Sequence, residues 1–193
     1  MNKRIYLLSL SMLSVGLLAL SCAKKTPECP PDLPCKTQSG ENTFGCYING
    51  QPWVAEIAPY IFDPTLHKIE AYYDELEYGN YYNNVFHLIA SRYNDSTNGF
   101  ISINLIPVTA AGTIRHEPQA LFDISGVILK LQNGVIQDNL SFTLDTLFDY
   151  HMEITHLDTD KNIAAGTFSF TGTSAKDTIK VTDGRFDVRY APQ

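Results

Sequence analysis

Strict alternation of apolar and polar residues near the C-terminus constrains this chain more than any other feature. Residues 163–171 place Phe168 and Phe170 on one face. Residues 178–182 place Ile179 and Val181 inward, and residues 185–190 place Phe186, Val188 and Tyr190 inward. Asp183-Gly184 between them reads as a turn. A period of two with polar partners marks a strand with one buried and one wet face.

The same pattern runs upstream. Residues 44–48 and 51–57 flank Asn49-Gly50, and Asn-Gly between two short apolar runs is the strongest short hairpin signal, because both turn positions need positive φ. Residues 66–73 alternate, with Ile69, Ala71 and Tyr73 on one face; Leu66, Ile69, Tyr73 and Leu76 also fit a helical face that Asp63-Pro64 could start, and the paired tyrosines favour the strand. Segments 85–93, 100–106, 121–131, 140–144 and 148–157 read as further strands. Residues 94–99 and Asn133-Gly134 are turns by composition, and 107–119, with Pro107, Gly112 and Pro118, is a loop or broken strand. Short strands at close spacing, about ten in all, predict an all-β domain: a single antiparallel β-sandwich or flattened barrel. The only tryptophan, Trp53, is expected to plug its core.

The N-terminus has a different character. Lys3 and Arg4 precede an apolar run over 5–20, which ends in Ala19-Leu20-Ser21-Cys22. This is the form of a secretory signal peptide, too short for a confident membrane span and without a stop-transfer pattern. The cysteine at the cut resembles the lipobox of bacterial lipoproteins, in which the thiol is acylated and the peptide is cleaved just before it. The lipobox usually has Leu three residues before the Cys; Ala19 stands there, with Leu18 one place further back. The chain thus divides into a signal peptide (1–21), lipidated Cys22 with a Pro-rich tether (22–42), and the β-domain (43–193). The tether has almost nothing apolar to bury and is expected to be extended or disordered.

Charge narrows the partners. The whole chain carries −7, and cleavage before Cys22 leaves −9, from 12 basic and 21 acidic residues. An acidic surface argues against nucleic acid and against electrostatic docking on anionic lipid. Membrane contact is expected through the acyl chains, of which stable anchoring needs more than one. With Cys22 acylated, Cys29, Cys35 and Cys46 remain. Cys29 with Cys35 makes a local disulfide loop around the prolines, and Cys35 with Cys46 is the rival pairing. Neither spacing suits zinc.

Candidate sites are few. Tyr72, Tyr73, Tyr78, Tyr81 and Tyr82 cluster with acids and amides, the mixture of stacking faces and directional acceptors that a sugar- or peptide-binding loop needs. Asp149, His151 and Glu153 share a strand face, opposite Phe148, Tyr150, Met152 and Ile154. A wetted face has the same appearance, His156 falls on the opposite parity, and no metal or other cofactor is expected. Asp158, Asp160 and Asn162 start like a calcium loop, but Ile163 and Ser169 stand where Gly and Glu are required, so a hairpin turn is expected. No nucleophile motif or phosphate loop occurs, which argues against an enzyme. Asp95-Ser96-Thr97, Asp145-Thr146-Leu147 and Asp177-Thr178-Ile179 resemble the O-glycosylation sequon of exported Bacteroidota proteins, which makes Ser96, Thr146 and Thr178 candidate acceptors, Ser96 first.

Two longer stretches resemble one family. Residues 42–53, Asn-Thr-Phe-Gly-Cys-Tyr-Ile-Asn-Gly-Gln-Pro-Trp, are similar to the opening of a group of small Bacteroidota lipoproteins. Gly166-Thr-Phe-Ser-Phe170 with Thr182-Asp-Gly-Arg-Phe-Asp-Val188 are similar to that group's C-terminal signature. In the group a proline pair precedes the segment matching Thr37-Gln38; here Pro34 is kept and Cys35 replaces the second proline. The resemblance implies a lipid anchor and an all-β domain, and it carries no activity. The expectation is a non-enzymatic, lipid-anchored envelope protein with a binding or structural role. Its partners would be the membrane and a glycan or an envelope protein. It would sit on the outer membrane, with the periplasmic face favoured over the cell surface because Lys24 and Lys25 stand where surface-exported relatives carry acids. The alternative is a lipocalin-like carrier of an apolar ligand. Its G-x-W hallmark is missed by one residue in Gly50-Gln-Pro-Trp53, and it would need an open cavity.

Overall fold

The structure, a computed structural model, describes residues 29–61, 63–78, 81–108, 110–113, 121–175 and 178–192; of these, the side chains of 75–78, 81–83, 121, 122 and 192 fall outside the description. Its strands are β1 (Thr43–Ile48), β2 (Gln51–Val54), β3 (Glu56–Ile57), β4 (Ile69–Tyr78), β5 (Tyr81–Tyr93), β6 (Thr97–Ile106) and β7 (Gly112–Thr113). They continue as β8 (Leu121–Gln132), β9 (Val135–Leu144), β10 (His151–Asp158), β11 (Ile163–Ser174), β12 (Thr178–Arg189) and β13 (Ala191–Pro192). All belong to one sheet, in the order β13-β4-β5-β6-β8-β9-β11-β12-β1-β2, with β10, β7 and β3 off that path. Pairing is antiparallel except at β13–β4 and β3–β5.

The sheet curls until it is nearly closed into a barrel. Tyr190 carries β12 straight into β13, which lies beside Tyr72 and Tyr73 of β4. On the other side, β1 pairs with β12, β2 with β1, and β3 reaches Arg92 and Tyr93 at the far end of β5. Both ends of the sheet therefore return to the β4–β5 hairpin, which limits exposed edges.

Local sequence explains most of this. Asn49 (φ 50°) and Gly50 (φ 78°) form the expected hairpin turn, and Asn133 (φ 53°) and Gly134 (φ 74°) repeat it between β8 and β9. Asn94 folds the β5–β6 turn, because its side-chain oxygen accepts from the backbone N–H of Ser96 (3.0 Å) and of Thr97 (2.7 Å). Asp183-Gly184 is not a turn. β12 runs unbroken through it, with a β-bulge in its pairing to β1 and to β11. Ile179 and Val181 face the core from odd positions, and Phe186, Val188 and Tyr190 from even ones. One extra residue changes the parity and keeps all five inward, without a chain reversal. Asp183 carries the positive φ (53°) that such a bulge needs.

Among the described residues, aromatic side chains pack through the interior. Trp53 meets Phe44 edge-on at 5.8 Å, Phe44 packs on Phe168 at 5.3 Å, Phe168 on Phe170 at 6.5 Å, and Phe170 on Phe142 at 6.2 Å. This aromatic run ties β2, β1, β11 and β9 together. Phe86 of β5 stacks on Phe186 of β12 at 5.7 Å. Several rings lie over glycines of the neighbouring strand. Phe168 faces Gly184 and Phe186 faces Gly166 in one reciprocal β11–β12 pair, and Phe142 faces Gly126. A Cβ on Gly184 would stand 2.4 Å from the Phe168 ring.

The segment 29–42 departs from expectation. It forms no strand, but it is a strap packed on the outer face of β12 and its neighbours, and not a loose tether. Leu33 is buried, and Pro34 lies against Gly45, where an added Cβ would meet it at 2.7 Å. The buried carboxylate of Asp187 accepts four hydrogen bonds from the strap: Thr37 Oγ1 (2.6 Å) and the backbone N–H groups of Ser39 (3.1 Å), Gly40 (2.7 Å) and Glu41 (3.2 Å). Gln38 donates to the Thr155 carbonyl (3.1 Å), and Arg189 donates its backbone N–H to Asn42 Oδ1 (2.9 Å). Positive φ at Gly40 (74°) and Asn42 (52°) turns the chain back into β1. Cys29 and Cys35 form a disulfide within the strap, and Cys46 is a buried free thiol.

Two outcomes follow. Asp187→Ala removes the one acceptor for four strap donors and is expected to cost about 3 kcal/mol in chemical denaturation; a loss below about 0.5 kcal/mol would mean the strap contributes nothing. Gly184→Ala forces Phe168 out of its place and is expected to cost about 2 kcal/mol, read the same way.

Candidate functional site

The outer wall of β4, β5, β6 and β8 carries the best candidate. Tyr72 is in register with His87, His87 with Asn104, and Asn104 with Asp123. In-register residues on adjacent strands share a face, so these four form one row across the wall. The adjacent row, Ala71, Leu88, Ile103 and Ile124, is buried in the core, which fixes the first row as outward-facing.

The row is preassembled by its own contacts. The Tyr72 and His87 rings stack at 6.2 Å with 23° between their planes. The Tyr72 hydroxyl donates to Glu70 Oε2 at 3.3 Å. His87 Nδ1 makes a short hydrogen bond to Asn104 Oδ1, and Asn104 Nδ2 reaches Ser102 Oγ at 3.5 Å. An amide oxygen only accepts, so Nδ1 carries the hydrogen in this contact. Asp123 ends the row, exposed. Phenol, imidazole, amide and carboxylate thus project outward from neighbouring strands about 4.8 Å apart.

The tyrosine cluster divides. Tyr72 belongs to this row. Tyr73 faces the other way: its ring packs on Tyr190 at 5.3 Å and its hydroxyl donates to the Val108 carbonyl at 2.7 Å. It is a barrel-wall residue and not a ligand contact. Tyr78, Tyr81 and Tyr82 lie at the closed end of the β4–β5 hairpin, with side chains outside the described residues. Cys22 also lies outside them.

The other candidates have local explanations. His151 Nε2 stands 3.6 Å from Glu153 Oε2 and 3.4 Å from Thr167 Oγ1. Phe148 does not join the buried face of β10 but is exposed in the preceding loop. The parity expected of His156 is reversed by a bulge between Ile154 and His156, so Leu157 packs on the core and His156 turns outward. Even so, no cluster of three metal-ligating side chains occurs among the described residues. Asp158 is a hairpin-turn residue: its Oδ1 accepts the Lys161 backbone N–H and its Oδ2 meets Lys161 Nζ at 2.8 Å, which holds its carboxyl below the usual range. Ser96, Thr146 and Thr178 are all exposed. Thr178 lines a cleft of about 470 Å³ at one end of the barrel, with Asn49, Asp138, Leu140, Ser141 and Ile179.

Sequence reading missed His87, Asn104 and Asp123. Each sits more than ten residues from the next, so only strand pairing unites them. Their outward parity beside Phe86, Leu88, Ile103, Leu105 and Ile124 was the available signal.

Burial pushes the Cys46 thiol well up from its ordinary value. A chain lacking residues 1–22 is therefore expected to give no rapid reaction with a chromogenic disulfide reagent at pH 8, and one equivalent after unfolding. Prompt release from the native protein would contradict the burial of β1.

Comparison with known proteins returns no matching family, no matching characterised protein and no matching solved structure.

Proposed function

We propose that this chain is a lipid-anchored, non-enzymatic domain of the bacterial cell envelope that binds a neutral polyhydroxylated ligand, a glycan, on the outer wall of its barrel. The observation that carries this reading is the row Tyr72–His87–Asn104–Asp123, held in place by its own stacking and hydrogen bonds. It offers aromatic edges, amide donors and carboxylate acceptors without a concentrated positive charge, which suits hydroxyl-rich ligands better than phosphates. An apolar-ligand carrier needs space inside the barrel; the aromatic run through the interior favours the outer surface instead. A flat wall does not exclude water from a reacting bond, which favours binding over catalysis. The Cys29–Cys35 disulfide suits the oxidising envelope that the signal peptide implies.

Two measurements test this. An alkyne-palmitate label fed to expressing cells is expected to enter the protein and to be lost in Cys22→Ala; labelling that survives the substitution would remove the anchor. Mature protein printed against a glycan array is expected to retain one glycan class, and Tyr72→Ala with His87→Ala is expected to weaken it at least tenfold with the melting temperature nearly unchanged. Glycan binding indifferent to both substitutions would remove this site.

A further inference from the structure

We infer that the open edge of β9, residues 135–141, is a docking edge: one extended peptide of a partner protein adds to it as a further strand, seated in the cleft beside the β11–β12 connection. This goes beyond the glycan reading and shares no residue with the polar row.

The pairing leaves the edge open. β8 runs along the whole of β9, but β11 meets β9 only at Phe142, Thr143 and Leu144. From Val135 to Ser141, among the described residues, β9 therefore has a ladder on one side only. Val135 to Asn139 are exposed, and Val135 and Ile136 are 60% and 57% exposed, so the strand is open to solvent there. Strand edges are ordinarily blunted by lysine or proline. Residues 135–141, Val-Ile-Gln-Asp-Asn-Leu-Ser, contain neither and begin with two β-branched residues that favour strand.

One edge group already holds a substitute for the missing strand. The Asn139 backbone N–H donates to Asp138 Oδ1 at 2.9 Å. An N–H that takes its neighbour's carboxylate is turned away from the β8 ladder, and an added strand would offer it a carbonyl instead. Backbone groups alternate sides along a strand, so those of Ser141 point the same way.

The cleft gives the occupant its shape. Four successive residues, Asp138, Asn139, Leu140 and Ser141, line it on the β9 side. Successive strand residues take opposite faces, so a cleft that touches all four runs along the edge of the strand. Ala175 and Thr178, at the β11–β12 connection, bound it on the other side, and its volume is about 470 Å³. A space walled on both sides suits a lone strand and not the flank of a second barrel. Symmetry also disfavours a second copy: two β9 strands paired about the middle of 135–141 would set Asp138 against Asp138. In strand addition the main chain supplies affinity and alternate side chains supply choice. Residues 43–193 carry 9 basic and 18 acidic residues, so the fitting peptide has basic flanks.

The test titrates isotope-labelled mature protein with an acetylated, amidated peptide, Lys-Thr-Val-Thr-Val-Thr-Lys, and follows backbone amide resonances. Saturable shifts are expected in residues 135–141 and at Ala175 and Thr178, with hydrogen exchange at Asn139 and Ser141 slowed about fivefold. The same peptide N-methylated throughout its Thr-Val core cannot form a ladder and is expected to bind about tenfold more weakly. Ile136→Lys changes an exposed side chain and repels the basic flanks; it is expected to weaken binding about threefold with the melting temperature unchanged. No saturable shift at millimolar peptide, shifts confined to other strands, or equal binding by the N-methylated peptide would overturn the docking edge. A protein that is dimeric by light scattering, with its β9 amides protected before any peptide is added, would give the edge to a second copy and overturn the proposal as well.

Discussion

The carboxylate of Asp187 and the strap it holds are the constraint on which the rest of the barrel depends. β12 is buried on both faces from Gly184 to Val188. Its inner face carries Phe186 and Val188 into the core, which is the ordinary requirement of a barrel strand. Its outer face carries Arg185 and Asp187, two charges that a strand covered on both sides does not tolerate without partners. Asp187 is satisfied by four donors, three of them backbone N–H groups of a segment that has no ladder of its own. Each needs the other: the strap's amides would be orphaned without the carboxylate, and the carboxylate would be stranded without the strap. Arg185 is less complete. Its Nε donates to the Asp183 carbonyl and its Nη2 lies 3.9 Å from Asp183 Oδ1, but Nη1 has no partner among the described residues. The bulge at Asp183-Gly184 therefore has two tasks: it resets the parity of β12, and it brings a carbonyl and a carboxylate to the guanidinium.

Inside the barrel the governing constraint is room for aromatic rings. Phe168 over Gly184 and Phe186 over Gly166 let two rings lie almost on the backbone of the adjoining strand. Ordinary side chains in those glycine positions would push the rings toward the barrel axis, where Phe44, Phe142 and Phe170 already stand. Glycine in a strand usually weakens it. Here the lost propensity is offset by dispersion contacts between large flat groups. The packing of the rings along the barrel interior follows from this arrangement.

The sequence showed the strands better than it showed what covers them. The Asn-Gly hairpins and the alternation of β11 and β12 were readable because turn chemistry and burial are local. Asp183-Gly184 misled because the same two residues serve turns and bulges, and the choice depends on whether partner strands continue past them. Residues 29–42 looked like a tether because composition counts apolar side chains, and only Leu33 qualifies. The strap docks mostly through backbone amides, which composition does not record, onto an acid that looked like one more polar residue on a wet strand face. The exposed first half of β9 was missed for the converse reason. Val135 to Asn139 are all exposed, so no alternation marks them, and pairing with β8 alone makes them strand.

The same distinction separates Tyr72 from Tyr73, though nothing local in the sequence does. Adjacent strand residues take opposite faces, so at most one of them can reach a ligand. Which one it is depends on Ala71 and Leu88, whose burial turns Tyr73 toward Tyr190 and Tyr72 toward His87. Once that parity is fixed, the strands supply the remaining members of the row without further coding: register brings Asn104 and Asp123 into line from 32 and 51 positions along the chain from Tyr72. A recognition surface assembled this way inherits the rigidity of the barrel beneath it, because moving any one member would break a ladder paired on both sides. Preorganised polar groups of this kind lose little freedom on binding, which is what the proposed hydroxyl-rich ligand, with individually small contacts, would require.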